Sequence, residues 1–145
     1  MTDDTDLYDR DFASWSEQQG AALRRRAANE IDWENVAEEI ESLGRSDRRE
    51  IRNRLVIICE HLLKWRFQPD RRSTSWRGSI IEARSQIADL IQESPSLSAY
   101  PATVLAVAWH RGRERAEMDT RLSDLPAACP WSAEQVLDPA FWPDD

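Results

Sequence analysis

The sequence predicts an all-α fold: a single-domain bundle of about five helices, closed by an irregular tail rich in Pro and Trp. Three observations carry that prediction. Only 4 glycines occur in 145 residues, too few for a turn-rich sheet protein, while 41% apolar and 32% charged residues suit amphipathic helices. Apolar residues recur at spacings of three and four along successive segments. Ser, Asp, Gly and Pro stand at the ends of those segments, where helices are capped and broken. The length is enough to bury one core without disulfides or metals, and 7 tryptophans supply large rings to fill it.

Residues 7–28 read as the first helix, with Tyr8, Phe12, Trp15, Ala22 and Leu23 on a stripe that Gln19 interrupts. Arg24, Arg25 and Arg26 complement the carbonyl end of its dipole. Residues 32–43 form the second helix. Asp32 is its N-cap, Ile31 and Val36 fit a hydrophobic staple, and Trp33, Val36, Ala37, Ile40 and Leu43 make one face. Gly44 is expected to stop it in a left-handed C-cap, with Ser46 starting a third helix over 46–67. Residues 32–67 thus read as a central helical hairpin. The broad apolar face of the third helix, Ile51, Leu55, Ile58, Leu62 and Trp65 widened by Val56, Cys59 and Leu63, places it at the centre.

Gln68-Pro69 ends that helix. Ser73 or Ser75 caps a fourth over 75–93, which Ser94-Pro95-Ser96 breaks, and a fifth follows over 98–122. Residues 123–145 read as a packed tail. Ser132-Ala133-Glu134-Gln135 matches a capping box for one short turn, and Trp131, Phe141 and Trp142 are expected to lie across the helices.

Composition also excludes. Cys59 and Cys129 are not a disulfide framework, which makes a reducing cytoplasm the default location. The start, MTDDTDLYDRD, lacks the pattern of a signal peptide, and the longest strongly apolar run, 55–59, is far short of a membrane span. Charge is uneven: residues 1–44 hold 4 basic and 12 acidic groups, 45–84 hold 11 and 5, and 85–145 hold 4 and 10. A basic middle between acidic flanks marks either an anion-binding face or helices that pair by charge.

Long motifs carry a family resemblance. YDRDFASW, DWENVAEEIESLGRSDRREIRNRL, HLLKWRFQP, RRSTSWR, SPSL and CPWSAEQVLDPAFWP span nearly the whole chain. With them the sequence resembles the DUF29 family of bacterial proteins of unknown function. The resemblance implies an all-helical fold and a bacterial origin, and it implies no particular reaction.

Two constellations of residues bear on chemistry. A helical hairpin would bring Glu38 and Glu41 to His61 and Lys64, with Arg84 on the next helix within reach. Carboxylates and an imidazole in a bundle can bind a divalent ion or transfer protons. The paired Glu-x-x-His signature is absent, however, since Ile58 and Val107 precede His61 and His110 by three positions. A structural charge network is the favoured reading, and no cofactor is expected. The second constellation is 64–77, where Arg66, Arg71, Arg72 and Arg77 alternate with Trp65, Phe67 and Trp76 ahead of a helix start. It suits a small anion or single-stranded nucleic acid, or else it is a core-closing turn with arginines reaching outward. No Gly-x-Ser-x-Gly elbow or phosphate loop occurs, and no catalytic residue is assigned.

The sequence therefore favours a non-enzymatic protein-interaction module, capable of forming a homodimer. Anion or nucleic-acid binding through 64–77 comes second, and a metal-dependent enzyme using Glu38, Glu41 and His61 third.

Overall fold

Asp11 divides the first segment in two. The computed structural model describes residues 4–144, with side chains from Leu7 onward. Helix α1 (Asp4–Arg10) ends at Asp11 and α2 (Phe12–Arg25) begins after it, the Asp11 carboxylate accepting from the Ser14 amide at 3.1 Å. The single helix expected over 7–28 is two helices, because a carboxylate that satisfies an otherwise orphaned amide outweighs a continuous apolar stripe. A 3-10 turn, Ala28–Glu30, leads on to Asp32.

The larger correction concerns the hairpin. Helix α3 (Trp33–Phe67) runs unbroken for 35 residues through Gly44, Arg45 and Ser46. No described glycine takes a positive φ, so Gly44 is not the left-handed cap expected of it. An interior glycine costs about 1 kcal/mol relative to alanine, too little to end a helix with strong formers on both sides. Charged Arg45 also stands where a left-handed cap at Gly44 would gain its apolar contact. Arg45 bonds back along the same helix to Glu38 at 2.6 Å.

Packing groups the chain into two compact units, the first ending at Ser46 and the second beginning at Asp47. In the N-terminal unit, Tyr8, Phe12 and Trp15 form an aromatic cluster with ring centroids 4.8–5.8 Å apart. Asp32 accepts from the Trp15 indole at 3.1 Å and from the Asn35 side chain at 2.7 Å. Buried Gln19 bridges the Glu30 carbonyl and the Asp32 amide, so the residue that interrupts the stripe is a fully used polar tie.

The C-terminal unit adds α4 (Thr74–Glu93), α5 (Tyr100–Thr120) and the short α6 (Ala133–Leu137) to the second half of α3. Ser73 caps α4 by accepting from the Trp76 amide, and Ser132 with Gln135 forms the expected capping box. The core is Ile51, Leu55, Ile58 and Leu62 of α3, Ile80, Ala83 and Ile87 of α4, Ala108, Trp109 and Ala116 of α5, and Val136 of α6. Small residues let α5 lie close to α3. A Cβ added to Gly112 would sit 2.8 Å from the Cys59 Cβ and 2.9 Å from the Glu60 amide nitrogen. Among the described residues all regular structure is helical, and no helix is long and apolar enough to cross a membrane.

Candidate functional site

Glu38 and Glu41 lie on the same helix as His61 and Lys64, not across a turn from them, so the cluster expected from the hairpin does not assemble. Glu38 and Glu41 are exposed and pair with Arg45, at 2.6 and 4.0 Å. His61 and Lys64 do come together, in company the sequence reading missed. Lys64, 7% exposed, donates to Asp119 of α5 at 2.6 Å and stands 3.4 Å from Glu60. His61 Nδ1 is 2.8 Å from the Ile57 carbonyl and 3.8 Å from Glu60. The hydrogen bond from Lys64, and then its charge, hold the Asp119 carboxyl below the usual aspartate range. Among the described residues no group of three or more His, Cys, Asp and Glu is placed to hold a metal ion. The geometry is that of a lysine neutralised by two carboxylates between helices.

Arg84 faces elsewhere. It is 4% exposed, its Nε donates to the Val136 carbonyl and its Nη2 to the Phe141 carbonyl, both at 2.9 Å. Burial lowers its pKa to about 10, which still leaves it charged at neutral pH. It ties the tail to α4 and borders an open groove of about 350 Å³, lined by Ile87, Ala88, Ile91, Gln92 and Leu137.

The basic segment 64–77 is organised around the same tail. Trp65 and Trp142 meet with centroids 4.8 Å apart. Arg72 lies 4.9 Å from the Trp65 ring, and Arg77 and Arg84 lie 4.6 and 5.3 Å from the Trp142 ring. Arg72 also donates to the Trp65 carbonyl at 2.8 Å and reaches Pro143 and Asp144. Arg66 covers Phe67 at 5.0 Å, and Arg71 is exposed in the 3-10 turn Pro69–Arg71. Of the four arginines expected to bind an anion, Arg66, Arg72 and Arg77 lie against aromatic rings, and Arg72 also bonds backbone carbonyls.

The apolar face read on residues 32–43 is the surface that stands out. Trp33, Ile40 and Leu43 of α3 are 59%, 64% and 69% exposed. The same spacing of three and four continues in sequence into the C-terminal unit, where Ile51 and Ile58 are buried. The apolar pattern runs on through the sequence, but only the part within the C-terminal unit is covered. Periodicity reports that a face is apolar and does not report what lies against it, so no signal in the sequence separated the two halves.

The model of a domain of unknown function, DUF29, matches residues 7–142. The chain belongs to the DUF29 family. That match runs from Leu7 in α1 to Trp142 in the tail, so it takes in most of each unit and the Trp65–Trp142 contact. No curated protein and no solved structure matches the chain.

Proposed function

We propose that this DUF29 chain is a non-enzymatic helical interaction module, and that the exposed stripe on the first half of α3 is its contact surface. One observation carries the reading: Trp33, Ile40 and Leu43, three large apolar side chains at helical spacing, are each more than half exposed. Scattered apolar residues on a surface need no explanation, but a stripe of one aromatic and two aliphatic anchors on one helix is the form taken by helix-in-groove interfaces. The polar groups support the same reading from the other side. Lys64, Arg72 and Arg84 are engaged in ion pairs and tail contacts, and the groove beside Arg84 is shallow and mostly apolar.

Photocrosslinking tests the reading independently of what the partner is. A benzophenone amino acid replaces Ile40 in one variant and Glu17, an exposed polar position on α2, in another. A discrete adduct at 40 and none at 17 is expected in cells. Equal, diffuse labelling at both positions, or none at 40, would remove the stripe as a contact surface.

A further inference from the structure

The stripe carries a charge signature of its own. Between Trp33 and Gly44, α3 holds Glu34, Glu38, Glu39 and Glu41 and no basic residue. The Tyr8 hydroxyl bonds Glu39. Glu34, Glu38 and Glu41, all exposed, share the flank beside the apolar residues. Arg45 reaches this flank through exposed pairs with Glu38 and Glu41, and Arg25 is paired with Glu30. Residues 1–46 together hold 5 basic and 12 acidic groups.

That pattern decides between occupants. A two-fold pair of copies sets the same patch on both sides, so the glutamates of one stripe would face those of the other. Like charges juxtaposed across an interface oppose association, and an acidic partner or an anionic surface meets the same repulsion. We propose that the stripe takes an amphipathic helix whose apolar face is flanked by Lys or Arg. This rests on the interaction reading above and names the partner's chemistry. Apolar anchors on the incoming helix would seat against Trp33, Ile40 and Leu43, and short, exposed Ala37 leaves room between the first two. Its cations would reach Glu34, Glu38 and Glu41. Displacing Arg45 from its exposed pairs costs little, because such pairs contribute little.

Fluorescence anisotropy with two labelled model helices tests this. Both peptides have the same leucine pattern; one carries lysine at its polar positions and the other glutamate. The lysine peptide is expected to bind saturably, roughly fivefold more weakly at about 300 mM salt than at about 50 mM, and the glutamate peptide not to bind. Replacing Ile40 and Leu43 by Ser, or Glu34, Glu38 and Glu41 by Gln, should each weaken binding at least about tenfold. Glu82→Gln with Asp89→Asn on α4 should leave it unchanged. Equal binding of both peptides overturns the basic partner and leaves the stripe as a contact surface. Binding of neither, with the adduct at 40 still formed, does the same, whereas loss of both results removes both readings. Binding that survives the stripe variants overturns the site, and a dimer strengthened by salt assigns the surface to a second copy and overturns the proposal.

Discussion

Lys64 of α3 and Asp119 of α5 meet at 2.6 Å, joining the ends of two helices by a bond that is buried on the lysine side and open to solvent on the aspartate side. The pair has a definite pH signature. A carboxylate whose folded pKa is depressed adds stability above its unfolded value, about pH 4, and that stability is lost as pH falls through the lower folded value. The wild type should therefore lose melting temperature more steeply than Asp119→Asn as pH falls below about 4. At neutral pH the variant should melt lower. Parallel acid curves for the two proteins would show that the bond contributes nothing to folding.

Glycines at three positions should respond to alanine with different signs. At Gly112 the new methyl meets the Cys59 Cβ and the Glu60 backbone, neither of which can yield cheaply, and a cost of about 1–3 kcal/mol is expected. Gly20 and Gly78 have nothing within 4 Å of an added Cβ. Alanine there should stabilise by about 0.5–1 kcal/mol through helix propensity alone. Urea denaturation of the three single variants measures all of this, and a stabilising Gly112→Ala would refute the close approach of α3 and α5.

Trp142 gathers Trp65, Arg77 and Arg84 around one ring. Trp142→Ala should cost about 3 kcal/mol, the lower end for a tryptophan truncation because the ring is only half-buried. A loss under about 1 kcal/mol would mean that the tail rests on the helices without contributing to them.

The two halves of the α3 face should separate cleanly by mutation. Ile40→Ser with Leu43→Ser changes exposed side chains, and folding stability should move by no more than about 0.5 kcal/mol each. Leu55→Ala and Ile58→Ala empty fully buried positions and should cost about 2–5 kcal/mol each. Thermal melts of the serine pair and of the two alanine variants check this directly. A strongly destabilised serine pair would make the stripe part of the fold.

Thiol reactivity should be equally divided. Burial raises the pKa of Cys59 far above the usual thiol range and that of half-buried Cys129 less sharply. A maleimide should label Cys129 slowly and Cys59 only on unfolding, as mass spectrometry of the intact protein would record.

Features whose partners are neighbours in the chain were legible in advance. The capping box at Ser132 and Gln135 forms as read, and of Ser73 and Ser75 it is Ser73 that caps α4, each through residues three positions apart. The Asp11 break was missed because a periodic stripe ran straight across it. The hairpin was misread because Gly44 and Ser46 have the chemistry of a helix stop, while the continuous bonding of a 35-residue helix is not visible at any one residue. Lys64 and Asp119 stand 55 positions apart and Arg84 and Phe141 57 apart, so only tertiary packing introduces them. The arginines and rings of 64–77 are neighbours in sequence, but Trp142, the ring that Arg77 faces and Trp65 meets, lies outside the segment.

The tail also sets an order in time. Arg84 reaches Phe141 across 57 positions and Arg72 reaches Pro143 across 71, whereas each helix closes its own bonds four residues apart. Contacts between distant positions require the intervening loop to be closed first, which slows their formation. In refolding, the helices should therefore acquire their far-ultraviolet signal before Trp142 fluorescence reaches its final value. A pulse of hydrogen exchange in that interval should find the amides of α3 protected while those of 138–142 still exchange.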